Sequence, residues 1–318
     1  ELVATDAELR PAALAWIAAH PASRQPWDEK DYGLPGGLPS TPKLAGMLSV
    51  APAVLKQKTR GLYPAPEAAL AAMVEGALVD FDTALRIESR YLASLIVSPV
   101  AKAMINTFFF HMNAVKGGHS RPKDVPRFKP AKVGILGAGM MGAGIAYAQA
   151  SKGIATVLKD VNREQAEKGK AYSARITQPR VDKGRMSPHD QQALLGRITA
   201  TASAADLAGC ELIIEAVYEN RELKARVTQE AEPQLAPGGF FASNTSTLPI
   251  GGLAQASRDP AKFIGIHFFS PVDKMKLVEI IRGRQTSDET VARAYDYVQA
   301  LGKLPIVVND SRGFYTSR

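Results

Sequence analysis

Up to residue 115 the apolar residues recur at helical spacing; beyond residue 130 they fall into short runs separated by helical stretches. Leu9, Ala13 and Ile17 share a face and predict a helix over residues 1–20. Pro21, Pro26, Pro35, Gly36, Gly37, Pro39 and Pro42 make the next stretch irregular. A helix over 43–59 is expected to be interrupted at Pro52. Behind Pro64 and Pro66, the spacing of Leu70, Met73, Val74, Ala77, Leu78 and Phe81 predicts one long helix from Glu67 to Ile96. Pro99 breaks it, and residues 100–115 resume as helix until Gly117 and Gly118. Segment 119–130, rich in Pro, Lys and Arg, reads as an exposed linker and as the main domain boundary.

After that boundary, strands are expected at 132–136, 155–159, 212–216, 239–243, 263–267 and 303–308. Helices are expected near 141–152, 162–182, 188–196, 221–235 and 287–301. Such alternation predicts βαβ units, a mostly parallel sheet and an α/β fold preceded by a mostly helical segment.

Composition narrows the picture. The 318 residues are 46% hydrophobic and 22% charged, enough apolar material for a packed core. Cys210 is the one cysteine, so an intrachain disulfide is impossible, and a reducing, cytoplasmic location is expected. The longest strongly apolar run, 103–112, falls short of the ~20 residues a spanning helix needs, so no transmembrane segment is expected. The net charge is +8, of which residues 126–318 carry +7. That excess suits a phosphate-bearing ligand; without a clustered Lys/Arg stripe, no nucleic-acid partner is expected. The chain begins at Glu1 without a Met and stops at Arg318, and both ends are expected to be cuts in a longer protein.

The sharpest motif is Gly137-Ala138-Gly139-Met140-Met141-Gly142, directly after a predicted strand and opening a predicted helix. In this G-x-G-x-x-G spacing, Gly137 permits the tight turn, Gly139 lets the backbone approach a pyrophosphate, and Gly142 lets helix and strand pack closely. Alone, the pattern also fits a Gly-rich turn. A second strand ending in Lys159-Asp160 strengthens it, because a carboxylate there accepts hydrogen bonds from ribose hydroxyls and repels a 2′-phosphate. The expectation is a Rossmann-type domain binding NAD, with Met141 in the cofactor loop. Lys159 leaves room for NADP, and Asp160 could simply cap a turn.

Among His20, His111, His119, His189 and His267, only His267 stands at the C-terminal end of a predicted sheet strand, where α/β folds place ligands. Glu279 follows twelve residues later. A His paired with a carboxylate makes a general-base unit, although a buried His and an unrelated surface Glu fit the same spacing.

The stretches Ser243-Asn244-Thr245-Ser246-Thr247, Gly265-Ile266-His267-Phe268-Phe269-Ser270-Pro271-Val272 and Lys276-Leu277-Val278-Glu279-Ile280-Ile281 resemble L-3-hydroxyacyl-CoA dehydrogenase. Glu215-Ala216-Val217-Tyr218-Glu219-Asn220 and Asp310-Ser311-Arg312-Gly313-Phe314 extend the resemblance over about 131–318. Tyr63-Pro64-Ala65-Pro66, Glu88-Ser89-Arg90 and Phe108-Phe109-Phe110 resemble the segment joining hydratase to dehydrogenase in bacterial multifunctional fatty-acid oxidation α-subunits.

The resemblance implies NAD-dependent oxidation of an L-3-hydroxyacyl-CoA to the 3-ketoacyl-CoA in β-oxidation. His267 would be the general base, Glu279 its orienting partner, and Ser246 a donor to the reacting oxygen and a cofactor contact. An N-cap is the other use open to Ser246. Glu219 and Lys224 match positions lining the nicotinamide, and Ser270 matches a cofactor contact that is often Asn in monofunctional relatives. Arg175, Arg180, Lys183 and Arg185 lie in a helical excursion that reaches toward CoA in relatives; Lys183 and Arg185 are the candidate substrate contacts, or part of a solvated face. Ser317 stands where relatives carry an active-site Asn.

The implied organisation is a crotonase-like hydratase tail over 1–60, a helical linker over 61–130, the NAD domain over 131–310 and the start of a C-terminal dehydrogenase domain over 311–318. The hydratase catalytic residues are expected to lie outside this chain, and a thiolase β-subunit is the implied partner. The alternatives are a monofunctional dehydrogenase with an N-terminal extension and a non-catalytic NAD-binding fragment.

Overall fold

The computed structural model describes residues 5–318. It contains two compact units, one running to Phe110 and one from His111. The first holds helices α1 (Asp6–Ala19), α2 (Pro42–Thr59), α3 (Pro64–Gly76), α4 (Phe81–Ile96) and α5 (Pro99–Met104). The first four residues of the helix expected over 1–20 lie outside the described ones. Proline opens α2, α3 and α5, where the missing N–H costs nothing. Pro52 forfeits one backbone bond without ending α2. The long helix expected over 67–96 is instead two, because the Asp80 side chain accepts the Thr83 N–H at 2.9 Å and starts a new helix.

No residue of α1–α5 is buried, so the described residues of the first unit form no buried core. Phe108, Phe109 and Phe110 are each more than half exposed. Among the described residues, no single helix is long and apolar enough to cross a membrane; α4 and residues 99–116 pass that test only as a pair bent by 65°.

A π-helical stretch (Ile105–His111) ends the first unit and runs into α6 (Met112–Lys116) of the second, ahead of one eight-stranded sheet. Its strands are β1 (Lys132–Leu136), β2 (Ala155–Lys159), β3 (Ile198–Thr201), β4 (Cys210–Glu215), β5 (Leu235–Ser243), β6 (Phe263–Phe268), β7 (Leu277–Arg282) and β8 (Leu304–Asn309). Spatial order is β3-β2-β1-β4-β5-β6-β7-β8. All neighbours are parallel except β6 and β7. Helices α7 (Met140–Ala150), α8 (Arg163–Asp182), α9 (Pro188–Gly196), α10 (Arg221–Ala231), α11 (Ile250–Leu253) and α12 (Asp288–Ala300) complete the Rossmann-type fold. The strand order reverses between β1 and β4, which opens a crevice at the C-terminal edge where such folds bind dinucleotides. Apolar side chains fill both faces of the sheet, among them Ile135, Ile214 and Ile266 on one and Ile213, Phe241 and Ile281 on the other. Cys210 is buried in the second cluster, and burial pushes its thiol up to about 11.

Two strands lie outside the expected set. β3 is four residues long and follows a helix almost directly. β7 carries Glu279 at its centre, and a charge in mid-strand breaks the apolar pattern that marks a buried strand.

Segment 119–130 is largely exposed, as its composition suggests, but it is anchored to α12. The Asp296 carboxylate on α12 accepts from Arg121 Nε at 2.7 Å and Nη2 at 2.8 Å, from Arg127 Nη1 at 2.7 Å and from the Phe128 N–H at 2.9 Å. Arg121 also donates to the Val125 carbonyl at 2.9 Å, so one buried ion pair folds the segment onto the helix. Breaking a buried pair costs about 3–5 kcal/mol where the remaining charge is left unpaired, and the low end applies here because Arg127 and the Phe128 N–H still serve Asp296. Arg121→Ala is therefore expected to lower the urea midpoint by an amount equivalent to about 3 kcal/mol and to speed tryptic cleavage at Lys123 to Lys129. An unchanged midpoint and cleavage pattern would show that the strap contributes nothing.

Candidate active site

The loop from β1 into α7 has the shape its glycines require. Gly137 has φ +94°, and a Cβ there would lie 2.8 Å from the Ala216 carbonyl oxygen. A Cβ on Gly142 would fall 1.8 Å from the Gly137 oxygen, so only glycine lets α7 start this close to the strand. At Gly139 a Cβ would meet nothing within 4 Å. That residue is the helix N-cap, with no side chain closing over the first-turn amides, so backbone N–H groups and the positive helix end face an open space. This is a cradle suited to a pyrophosphate.

Asp160 stands where β2 ends, its carboxylate accepting the Ala138 N–H and the Val161 N–H at 2.6 Å each. Each carboxylate oxygen has a second acceptor site left for a ribose hydroxyl. Lys159, the neighbour of Asp160, is paired with Glu230 at 3.1 Å. Met141 packs partly buried against the core, whereas Met140 is exposed and its sulfur accepts from Ser270 Oγ at 3.5 Å.

A buried charge cluster supports the neighbouring strand ends. Lys224 on α10, 2% exposed, donates to Glu215 at 2.6 Å and lies 3.0 Å from Glu219. The other Glu215 oxygen accepts from Ser243 Oγ at 2.7 Å. Glu219 Oε1 gathers Thr245 Oγ1 at 2.5 Å, the Ser246 N–H at 2.9 Å and Oγ at 3.4 Å, and the Thr247 N–H at 3.2 Å. Burial alone would push the Glu219 carboxyl up; the Thr245 hydroxyl, the Lys224 ammonium and the Ser246 amide outweigh it and hold the carboxyl below its ordinary value.

Glu219 thereby fixes the loop that presents Ser246. Ser246 does not cap the next helix: α11 receives its cap from Asp310, which accepts the Ile250 and Gly251 N–H groups at 2.9 and 2.7 Å. Asn244 Oδ1 accepts the Phe268 N–H at 2.8 Å and ties the same loop to the end of β6.

His267 and Glu279 are directly opposed across the antiparallel β6–β7 pair. Their side chains meet at 2.7 Å, Nδ1 to Oε2, with His267 7% exposed and Glu279 fully buried. A carboxylate only accepts, so this bond places a proton on Nδ1 and leaves the Nε2 lone pair for a substrate. The other Glu279 oxygen accepts the Tyr315 N–H at 3.0 Å, the Thr316 N–H at 2.9 Å and Thr316 Oγ1 at 3.1 Å. Burial pushes the Glu279 carboxyl up, yet the bonds from His267, Thr316 and Tyr315 overcome it and hold the group below its ordinary value. Phe314, buried with φ +51°, brings its ring to 6.1 Å from that of His267. A bulky residue in the left-handed region costs about 1–2 kcal/mol, here offset by the buried ring and the bonds to Glu279.

The motif spacing thus brings Gly137, Gly139, Gly142 and Asp160 to one end of the crevice, and joins Ser246, Glu219 and Lys224 in one network beside it. Lys183 and Arg185 stand apart, exposed at the turn closing α8. Tyr172, midway along that helix, donates to Asp273 at 3.0 Å in the loop after β6, and Lys183 lies about 16 Å further along the axis. Ser317 is exposed, and its backbone N–H bonds the Gly313 carbonyl. Sequence reasoning missed Glu215, Asn244 and Thr316. The first two sit inside quoted motifs, close to assigned residues; Thr316 acts through its amide as well as its hydroxyl, and no side-chain pattern reveals the amide.

The 3-hydroxyacyl-CoA dehydrogenase, NAD binding domain model matches residues 132–311. The (S)-3-hydroxybutyryl-CoA dehydrogenase of Ralstonia eutropha is 39% identical over 59% of this chain and 66% of its own, with a TM-score of 0.57. The 3-hydroxybutyryl-CoA dehydrogenase of Escherichia coli is 29% identical over 58% of this chain and 39% of its own (TM-score 0.56). The dehydrogenase part of multifunctional enzyme 1 from C. elegans is 29% identical over 58% and 42% (TM-score 0.52). The chain thus spans less than two thirds of the length of each of these three. By the family match, the chain belongs to the 3-hydroxyacyl-CoA dehydrogenases, through their NAD-binding domain. NAD is the cofactor of that domain, and the open Gly139 loop and Asp160 fit it.

Glu219 and Glu279 both titrate lower in the folded chain than unfolded, so the unfolded chain takes up protons first. The stability they contribute is complete above their ordinary value of 4.5 and is lost as pH falls through the lower folded values. The urea midpoint is expected to hold steady above that value and to fall below it, with Glu279→Gln flattening the fall. A Glu279→Gln slope identical to the parent's would contradict this assignment.

Proposed function

We propose that this chain supplies the cofactor site and the general base for oxidation of L-3-hydroxyacyl-CoA to 3-ketoacyl-CoA. One observation carries the reading: an imidazole locked through Nδ1 onto a buried carboxylate, at the C-terminal edge of the sheet, in a dehydrogenase NAD domain. When bound, NAD⁺ supplies the hydride acceptor. Gly137, Gly139 and Gly142 shape the backbone that would hold its pyrophosphate, and Asp160 would hold the adenosine ribose. Glu219 and Lys224 would line the nicotinamide end, and Ser270 would add a polar contact.

His267 Nε2 takes the C3 hydroxyl proton as the C3–H bond breaks. Glu279 offsets the resulting imidazolium charge and keeps the ring from rotating. Ser246 Oγ, on the loop held by Glu219, hydrogen-bonds the reacting oxygen. Lys183 and Arg185 meet the CoA phosphates, where charge-assisted bonds are strongest.

The first compact unit fits the hydratase tail and linker of a multifunctional β-oxidation α-subunit, and a thiolase β-subunit is the partner that reading implies. The C. elegans neighbour and the helical character of the segment support it.

The test is NADH formation with L-3-hydroxybutyryl-CoA. His267→Gln is expected to lower kcat by about 10²–10⁴-fold with NAD affinity retained. Turnover that survives the substitution would sink the mechanism, and NAD binding without turnover in the parent would favour a non-catalytic binding role. Reversing charge at Lys183 and Arg185 is expected to raise KM for acyl-CoA about tenfold or more while sparing NAD affinity. Unchanged acyl-CoA affinity would remove the CoA assignment.

A further inference from the structure

We infer that Thr316 is a positioning residue for the general base, acting through Glu279 as the closing member of a brace formed by residues 310–316. The inference rests on His267 being the base, as proposed above.

β6 and β7 present His267 and Glu279 on one face of the sheet, together with Gly265 and Ile281, two residues along each strand. That face has almost no spare volume. A Cβ on Gly265 would lie 2.7 Å from Ile250 Cδ1 and 2.8 Å from Ile281 Cβ. After β8 the chain turns back across it, burying Phe314 in the cluster that holds Ile250 and Ile281. The turn is fixed at both ends. Asp310 accepts the two α11 amides, and α11 follows the Ser246 loop directly. At the other end the Tyr315 and Thr316 amides and the Thr316 hydroxyl converge on one Glu279 oxygen. One turn thus ties the Ser246 loop to the His267–Glu279 pair.

The Thr316 hydroxyl is the separable part of this arrangement. It is a third donor to an oxygen already held by two amides, on a residue whose side chain is otherwise exposed. Three donors on Oε1 keep the carboxylate charged and unable to rotate, so Oε2 stays aimed at Nδ1. The titratable and charged groups in the elements packed on Glu279 are His267 on β6 and Asp310, Arg312 and Tyr315 in the turn. Asp310 is committed to α11, and Arg312 and Tyr315 are exposed. The Oε1 donors are therefore uncharged and do not themselves titrate near the carboxyl.

The experiment follows the Glu279 carboxyl by carbon NMR through an acid titration of the complete chain without substrate. Thr316→Val removes the hydroxyl and keeps the shape. It is expected to titrate at higher pH than the parent, and Thr316→Ser is expected to restore the parent curve. Thr316→Ala carries the same expectation if valine crowds the turn. Superimposable curves for parent, Val and Ala variants would overturn the brace. With L-3-hydroxybutyryl-CoA and NAD⁺, Thr316→Val is expected to lower kcat about threefold to tenfold at unchanged KM. A shifted titration with unchanged kcat would leave the brace standing and count against His267 as the base. An unshifted titration removes Thr316 from the mechanism whatever the turnover.

Discussion

A carboxylate with no solvent exposure in the middle of a β-sheet is the most demanding requirement in this molecule. Leaving such a charge unpaired costs several kcal/mol, so the surroundings must supply donors on every side. Glu279 receives an imidazole on one oxygen and three donors on the other. The antiparallel β6–β7 ladder sets Glu279 opposite His267, and this is the one reversed pairing in the sheet. The return of the chain over that face after β8 supplies the three donors on the other oxygen.

The second buried charge cluster obeys the same rule with a different outcome. Lys224 serves two carboxylates, and the surplus negative charge is met by the Ser243 and Thr245 hydroxyls and by backbone amides. The Glu279 cluster orients one side chain. The Lys224 cluster shapes a loop, because most donors to Glu219 are consecutive residues of the segment following β5. The glycine loop after β1 stands next to the Lys224 cluster at the ends of β4 and β5, with the Glu279 cluster beyond it on β6 and β7.

Much of this was legible in the residues. β1 and β2 lie where the apolar runs place them, and Gly137 and Gly142 make the tight turn and the close helix–strand packing their spacing implies. Most of what stayed hidden shares one cause: a local pattern was overridden by a partner distant in sequence. β7 was masked by Glu279, whose charge is tolerated only because His267 and Thr316 meet it. The anchoring of segment 119–130 was hidden because Asp296, the partner of its arginines, lies more than 160 residues away. The break between α3 and α4 was readable in principle from Asp80 as a cap, but an unbroken apolar stripe outweighed it. Thr316 was beyond sequence reasoning, since two of the three bonds made to that Glu279 oxygen come from backbone amides.

The antiparallel pairing of His267 with Glu279 also bears on the temperature dependence of the chemistry. Directly opposed residues on adjacent antiparallel strands have Cβ atoms only about 4.5–5.5 Å apart, a spacing set by the ladder and not by the side chains. The imidazole and its carboxylate have no rotamers left to search when substrate arrives. The ordering entropy of the pair is met when the chain folds, so under the proposed mechanism little of it remains in the barrier to proton transfer. On that mechanism the pair itself would add little to the activation entropy.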